Sequence, residues 1–507
     1  MSNKKLTVLN IVSVIVLQLC TIASGFIIPR IVLKYFGSEV NGLVSSINQF
    51  LNYVQLLEGG LSGVVMAALY KALAKNDNNK VSAIIRAVDS FFKKIALIYI
   101  VYALVLAIIY PFIVKNNFGY WYIFSLILII AISLFNQYFF SLTYRLLITS
   151  DRRGFVVSIA QIVFIIVNVM LVIISIKIYP SIHLLKAISS ISFIIQPVIF
   201  KLYVKKHYCI DYTAEKDNEA LKQRWDGFGQ NLAYFIHSNT DVIILTFFVG
   251  LSMVSVYSVY LMVIGAIQSL LIAVSGAIKP IYGNMLSSYK KDEINKMFDY
   301  YELGMNIITT IAFACCIILI VPFINQYTKS VVDADYKQPI FATIMCIAEA
   351  VYCLRDPFVA TAYSVGHFKQ TAKFAYCEAV INLVVSLSLV FFLGIIGVAI
   401  GTLVAMSFRA TMHAIYLKKN ILNRPIYKWL KGIFVTFISG TIGVFVVKHC
   451  INYNVDSYLT WFIYALVATA VIVPIVAVIF FVAYYKTIIA FITTYLKKET
   501  VDENSGC

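Results

Sequence analysis

The chain has 507 residues, of which 61% are hydrophobic and only 13% are charged. This composition excludes an ordinary soluble domain, which would carry about twice as large a share of charged residues. The formal net charge of +17 alone would suit a nucleic-acid-binding protein, but the basic residues lie between long apolar runs, which argues against that class.

Apolar runs of about 20 residues recur along the chain, and each can cross the roughly 30 Å hydrocarbon core of a bilayer. We therefore predict an all-α polytopic membrane protein with fourteen transmembrane helices and a retained first helix. The predicted spans are 6–36, 40–70, 91–113, 120–144, 153–177, 182–204, 226–249, 254–284, 303–325, 336–360, 367–392, 395–417, 430–448 and 458–485.

The basic residues favour one orientation of these spans. When the loops alternate from an inside N-terminus, 33 of the 41 Lys and Arg fall on the inner side. The other eight fall outside: Arg30, Lys34, Lys115, Lys177, Lys186, Lys329, Lys337 and Lys448. The positive-inside rule then predicts that both termini are cytoplasmic, and the net charge indicates attraction to anionic lipids rather than to nucleic acid.

A polar segment divides the first twelve spans into two equal sets. We predict an N-terminal lobe at 1–204, a cytoplasmic linker at 205–225 and a C-terminal lobe at 226–419. Two additional spans occupy 420–485, and a cytoplasmic tail follows at 486–507.

An internal repeat supports this division. The sequence Pro-Phe-Ile at the end of span 3 recurs at the end of span 9, as Pro111–Ile113 and Pro322–Ile324. Further pairs match at shifts of 213 or 214: Gly37 with Gly250, Ser45 with Ser258, Gln55 with Gln268, Gly63 with Gly276, and Asn168 with Asn382. Because each half has six spans, the halves are parallel repeats about an axis along the membrane normal.

Enzyme motifs are not visible in the sequence. It has no Walker loop, HExxH or GxSxG, and its nine cysteines have no metal-ligand spacing, so we expect no cofactor, no metal and no catalytic residue. The outer loops are also too short to hold the acceptor of a membrane glycosyltransferase. These observations favour a transporter.

Ionisable residues within the spans are the candidate functional residues, because such groups are costly in lipid unless they face a cavity or one another. Arg30 in span 1 and Asp241 in span 7 occupy matching repeat positions, so they line a cavity or form a structural pair. Lys279 either lines the cavity or extends to the inner interface. Glu58, Glu349 and Glu378 are candidate cavity or coupling acids, and a protonated buried state is the alternative for the last two.

Glycines four residues apart indicate close helix contacts in lipid. One such pair, Gly59 and Gly63, follows Glu58 directly, and a second set, Gly394, Gly397 and Gly401, lies around the turn between spans 11 and 12.

Three stretches resemble Wzx-like polysaccharide exporters of the multidrug/oligosaccharidyl-lipid/polysaccharide (MOP) superfamily. They are IPRIVLKYFGSEVNGLVSSINQFLNYVQLLEGGLSG at 28–63, TDVIILTFFVGLSMVSVYSVY at 240–260, and GHFKQTAKFAYCEAVINLVVSLSLVFFLGIIGVAIGT at 366–402. The resemblance extends over nearly the whole chain. It implies a V-shaped pair of six-helix lobes with one further helix pair.

The resemblance also implies a function. Members of this family move undecaprenyl-diphosphate-linked oligosaccharides, of the O-antigen, capsule or teichoic-acid type, to the outer leaflet of the bacterial cytoplasmic membrane. Their cavity is cationic, which Arg30 matches and Lys279 would extend, while Glu58 is the better candidate for coupling to H⁺ or Na⁺. The implied partners are the lipid-linked oligosaccharide, membrane lipids and polysaccharide polymerase machinery.

Two alternatives remain open on the sequence alone. A cation-coupled drug or metabolite antiporter of the same superfamily would share the architecture but should have an acidic, aromatic pocket. A membrane polysaccharide polymerase or ligase is disfavoured by the short outer loops and by the repeat.

Overall fold

Helices make up the structure, a computed structural model that describes residues 3–114, 117–217, 219, 228–288, 291–422, 424–451 and 454–504. Sixteen α-helices are found in this described part: α1 Asn3–Leu51, α2 Leu61–Ala74, α3 Asn78–Ile113, α4 Tyr120–Asn136, α5 Leu142–Ser150, α6 Gly154–Ile178, α7 Ile182–Ser192, α8 Ile195–His207, α9 Phe228–Phe248, α10 Leu251–Ser288, α11 Lys291–Tyr327, α12 Pro339–Ser364, α13 Phe368–Leu393, α14 Ile395–Asn420, α15 Ile426–Cys450 and α16 Tyr458–Asn504.

Eleven helical stretches of the described chain are long and apolar enough to cross a membrane. One of them, Lys5–Leu57, contains the first predicted span and the start of the second. The predicted spans 7 and 10 correspond to α9 and α12, which are not among these eleven stretches. Helix α12 is less apolar because it carries three charged residues, Glu349, Arg355 and Asp356, among its 26 residues. The prediction of an all-α polytopic membrane protein is confirmed.

The second predicted span, 40–70, is not one continuous helix. It continues from α1 into a 3₁₀ turn at Asn52–Leu57 and is then interrupted before α2 begins. Gly59 and Gly60 have φ values of 58° and 86°, a left-handed conformation that suits glycine and ends the regular helix. A Cβ at Gly63 would have no atom of another segment within 4 Å, so the prediction of a close contact there is wrong.

The prediction of close contacts holds at Gly397 and Gly401 but is wrong at Gly394, where a Cβ would have no atom of another segment within 4 Å. A Cβ on Gly397 would lie 2.5 Å from the carbonyl oxygen of Leu389, and one on Gly401 would overlap Ser386. These absent side chains allow α14 to approach α13 along its length, as small residues do in membrane helices.

The chain divides into two compact units. The first comprises Met1–Ser258 with Ser330–Ala334, and the second comprises Val259–Lys329 with Asp335–Cys507. In the first, α1 packs against α6, and α4 packs against α3 and α7; in the second, α11 packs against α12, α15 and α16. The lobe boundaries derived from the sequence stay a prediction. The predicted linker is described as far as residue 217, and most of its remainder lies outside the described residues.

The sequence repeat has counterparts in side-chain contacts. Ser192 donates a hydrogen bond to Asn168 at 3.3 Å, which joins α7 to α6. Asn382 donates to Thr402 at 3.0 Å, which joins α13 to α14. Asn168 and Asn382 lie 214 residues apart, and their hydrogen-bond partners, Ser192 and Thr402, lie 210 residues apart. A buried asparagine therefore joins the equivalent pair of helices in each half of the repeat.

Candidate functional site

A row of polar contacts holds the second half of α1 against α9 and the start of α10. Asn41 donates a hydrogen bond to Ser255 at 2.8 Å, and the hydroxyl groups of Ser46 and Thr246 lie 2.8 Å apart. Tyr110 of α3 donates to Ser46 at 2.7 Å. All these groups are buried, where a satisfied polar network fixes the register of neighbouring helices.

Arg30 and Asp241 lie in different surroundings within the first unit. Arg30 is exposed on α1, seven residues before the break at Gly37. Asp241 on α9 is only 3% exposed and accepts a hydrogen bond from the Tyr257 hydroxyl at 2.7 Å. Their direct pairing stays a prediction.

A cavity of about 220 Å³ in the first unit contains a cation that the charge count places on the outer side of the membrane. Lys186 projects from α7 into this cavity, which Asn48, Ser133, Gln137 and Ser190 also line. Lys186 lies four residues after the start of α7, which is about 6 Å along the axis of that helix at a rise of about 1.5 Å per residue. We call this cavity the Lys186 pocket.

The charge of the Lys186 pocket is not compensated locally. Among the described residues, no carboxylate lies within ion-pair distance of the Lys186 ammonium group. Its surroundings instead offer hydroxyl and amide groups, including Gln137 at the start of a π-helical turn, Gln137–Ser141, between α4 and α5. Such turns are frequent at functional sites. The pocket therefore has the chemistry of an anion site.

Glu58 lies at the interruption of the second span. It is partly buried, and its carboxylate accepts a hydrogen bond from the Ser62 hydroxyl at 2.5 Å. Its charge also interacts with Arg145 of α5 and with the buried Tyr138 in the π-helical turn. A broken membrane helix with a carboxylate at the break is a common setting for ion coordination.

In the second unit, a polar seam joins α10 to α12. Gln268 donates to Glu349 at 2.7 Å, and Lys279 forms a 2.9 Å ion pair with Asp356. Ser275 also donates to Asp356. Glu349 and Asp356 are seven residues apart and therefore lie on the same face of α12. Lys279 is thus an ion-paired group whose side chain remains 35% exposed.

Glu378 has the most buried charge of the predicted set. It is fully buried on α13 and forms ion pairs with Arg355 of α12, at 2.7 Å, and with Arg409 of α14. The Arg355 guanidinium also lies 4.6 Å from the ring centroid of Tyr352. Two guanidinium groups therefore surround one carboxylate, and we call these residues the Arg355–Glu378–Arg409 triad.

A second buried charge cluster was missed on the sequence. Arg424, before α15, donates to Asp299 at 2.8 Å and also to Glu302, both on α11. Lys428 binds Asp299 at 2.7 Å. The cluster ties the additional helices to α11, and the long separation of these residues along the chain hides it from sequence analysis.

Solved structures of a lipid flippase and of transporters share the fold of this chain. No protein-family model matches the sequence, and the search of curated proteins gives no match. Solved structures do match over most of the chain, at sequence identities that establish the fold alone.

Three of these structures are a lipid flippase and two transporters. Lipid II flippase MurJ, in an inward closed conformation, superposes with a TM-score of 0.69 at 15% identity, covering 95% of this chain and 100% of MurJ. An inward-facing multidrug resistance MATE family transporter of the MOP superfamily gives 0.61 at 15% identity, with coverages of 80% and 96%. A MOP superfamily transporter from Pyrococcus furiosus, whose binding pocket is described as having reverse polarity, gives 0.58 at 13% identity, with coverages of 83% and 96%.

Proposed function

We propose that this protein is a flippase that moves undecaprenyl-diphosphate-linked oligosaccharide from the inner to the outer leaflet of the bacterial cytoplasmic membrane. The observation that carries the proposal is the Lys186 pocket, in which a lysine without a carboxylate partner among the described residues faces hydroxyl and amide groups. The fold shared with a lipid II flippase supports the same class of function.

The chemistry of the substrate explains why such a pocket is useful. A diphosphate carries about two negative charges, and charge-assisted hydrogen bonds from an ammonium group replace part of the water that it loses in the membrane. Arg30 and Lys279 would extend the cationic path. The lipid chain can stay in the bilayer, so only the diphosphate and the sugars need a polar route.

The driving force is consistent with outward movement. An inside-negative potential favours the outward transfer of an anion by about 2.3 kcal/mol per charge per 100 mV. Alternating access of the two lobes predicted from the repeat would move the headgroup, and Glu58 would couple the cycle to H⁺ or Na⁺. The glycan would be an O-antigen, capsule or teichoic-acid unit, delivered to polysaccharide polymerase machinery.

The alternative function is a cation-coupled drug or metabolite antiporter, which the match to MATE transporters favours. A carrier for organic cations needs an acidic group available to its substrate. In this protein Glu378 is paired with two arginines and Asp356 with Lys279, so these acids are already neutralised by cations. A polymerase or ligase has no supporting observation in the described residues.

Translocation by purified protein in liposomes tests the proposal. The probes are a fluorescent undecaprenyl-diphosphate-linked sugar and the organic cation rhodamine 6G. We expect Lys186→Met to slow translocation of the diphosphate lipid by about ten-fold or more, the equivalent of one lost charge-assisted hydrogen bond, and Lys186→Arg to retain most of the rate. Arg30→Ala should also abolish export while membrane insertion stays normal.

The matched control is Lys177→Met, which removes an exposed lysine at the end of α6, on the same predicted side of the membrane. Normal translocation by Lys186→Met would overturn the role of the Lys186 pocket. Transport of rhodamine 6G without transport of the diphosphate lipid would overturn the flippase and favour the antiporter.

A further inference from the structure

A second polar cavity, of about 450 Å³, is lined by basic residues that the charge count places on the inner side of the membrane. It is formed by residues 85–97 of α3, by α5 and by the segment that follows α8. We call it the linker pocket. Its size is in the range of cavities that hold small molecules.

Positive charge is in excess in the linker pocket. Arg86, Lys93, Lys94 and Lys216 line it, and Asp89 is the only acidic residue among the described lining residues. Asp89 forms a 2.7 Å ion pair with Lys93, one turn along α3, and Asp211 next to the lining attracts Arg86, so four cations face two carboxylates. The pocket therefore favours an anionic ligand.

Hydrogen bonds from the segment after α8 build this pocket. Lys216 donates to the Ser90 hydroxyl at 3.0 Å, and Arg86 donates to the carbonyl oxygen of Ala214. Lys80 forms a 2.8 Å ion pair with Asp217. The start of the linker is thus held on α3, and Lys216 is brought from more than 120 residues away to the cations of that helix.

Two phenol groups add donor capacity. The hydroxyl groups of Tyr144 and Tyr212 lie 3.3 Å apart in the pocket lining. One hydrogen bond between two hydroxyl groups uses one hydrogen, so the other hydrogen can be donated to a ligand oxygen. A phosphate group, with several acceptor oxygens and a negative charge, matches this set of donors.

The surface next to the pocket is apolar and exposed. Along α3, the lining residues Arg86, Ser90, Lys93 and Leu97 follow one another at intervals of three or four residues, so they share one face of the helix. The same face continues with Val101, Leu104 and Ile108, all of which are exposed. From Leu97 to Ile108 the helix rises about 16 Å, which is close to the hydrocarbon thickness of one leaflet.

We propose that the linker pocket binds the phosphate group of an anionic phospholipid, whose acyl chains lie along the exposed apolar face of α3. The polar part of this face contacts the headgroup, and the apolar part contacts the acyl chains. A membrane lipid has both of these parts, whereas a soluble anion has no apolar chains. The site is separate from the Lys186 pocket and does not depend on the proposed transport activity.

Native mass spectrometry of the full chain tests this proposal, with dioleoylphosphatidylglycerol, dioleoylphosphatidylcholine and inorganic phosphate as separate probes. We expect retention of phosphatidylglycerol in preference to phosphatidylcholine. The triple variant Lys93→Ala, Lys94→Ala and Lys216→Ala should weaken that retention by about ten-fold or more, since it removes three of the four cations that line the pocket.

The matched control is the triple variant Lys201→Ala, Lys205→Ala and Lys206→Ala, which removes three exposed lysines from α8 at the same end of the helices. An equal loss of lipid in both variants would show charge attraction without a site and would overturn the proposal. Equal retention of the two lipids would also overturn it. Binding of inorganic phosphate that phosphatidylglycerol does not displace would overturn the lipid assignment.

Discussion

Gly37 and Gly250 lie 213 residues apart at matching positions of the sequence repeat, and both have positive φ values, of 81° and 119°. Each glycine lies where one helical segment ends and the next begins. After Gly37, the backbone N–H and the hydroxyl group of Ser38 both donate to the Asp333 carboxylate at 2.7 Å. A carboxylate at this position stabilises the start of the following helical segment.

Substitution of these glycines should have unequal effects. We expect Gly37→Ala to lower the melting temperature more than Gly250→Ala. Both place a side chain in a conformation that costs about 1–3 kcal/mol, but a Cβ at Gly37 would also lie 2.6 Å from the Asp333 carboxylate. Thermal unfolding in detergent measures this, with Gly25→Ala as the control because its Cβ would meet no atom within 4 Å. Equal shifts for Gly37→Ala and Gly25→Ala would contradict the prediction.

The Arg355–Glu378–Arg409 triad should be important for stability. We expect Glu378→Gln to destabilise the protein by about 3–5 kcal/mol, because it leaves two buried guanidinium groups without their carboxylate. The control Glu215→Gln, at an exposed position after α8, should have little effect. Thermal unfolding of the two variants gives the comparison.

A double variant separates the triad from independent effects. Glu378→Gln combined with Arg409→Gln should cost less than the sum of the single changes, because the second change removes a cation that the first has left unpaired. Strict additivity would show that the two residues are not coupled.

Exchange of the charges at Lys279 and Asp356 tests whether Lys279 acts in translocation as well as joining α10 to α12. Each single change, Lys279→Asp or Asp356→Lys, should lower the melting temperature by placing two like charges together. The double exchange should restore the melting temperature but leave translocation of the diphosphate lipid slow, because the cation is then on α12. Full recovery of translocation would limit Lys279 to a structural pair.

Glu58 is the proposed coupling residue. In liposomes with an imposed H⁺ or Na⁺ gradient, we expect Glu58→Gln to remove the response of the translocation rate to the gradient, since the neutral amide neither binds a proton nor attracts a cation. Ser62→Ala removes only the hydrogen bond to this carboxylate and should keep the response. A Glu58→Gln variant that still responds to both gradients would assign coupling to another residue.

Features of the fold that depend on residues close together along the chain could be predicted from the sequence. Apolar length predicted the helices, and the glycine spacing predicted the contact between α13 and α14, because a missing Cβ acts at its own position. The break at Gly59 and Gly60 was missed, since glycine also occurs inside membrane helices and only the backbone conformation distinguishes the two uses.

Contacts between distant segments were not predictable from the sequence. Glu378 had no neighbour of opposite charge along the chain, and its partners come from the preceding and following helices. The charge count placed Lys186 on the outer side of the membrane, near the start of a predicted span, but did not show that its side chain projects into a cavity. In each case the packing of helices, which a single sequence does not specify, decides what a charge contacts.

The triad also has a consequence for biosynthesis. Its three charges are supplied by α12, α13 and α14, which leave the ribosome one after another. An arginine that faces lipid within a membrane helix is costly during insertion, and here Arg355 emerges before either of its partners. We therefore expect these three helices to enter the bilayer together, so that the three charges meet before any of them faces lipid.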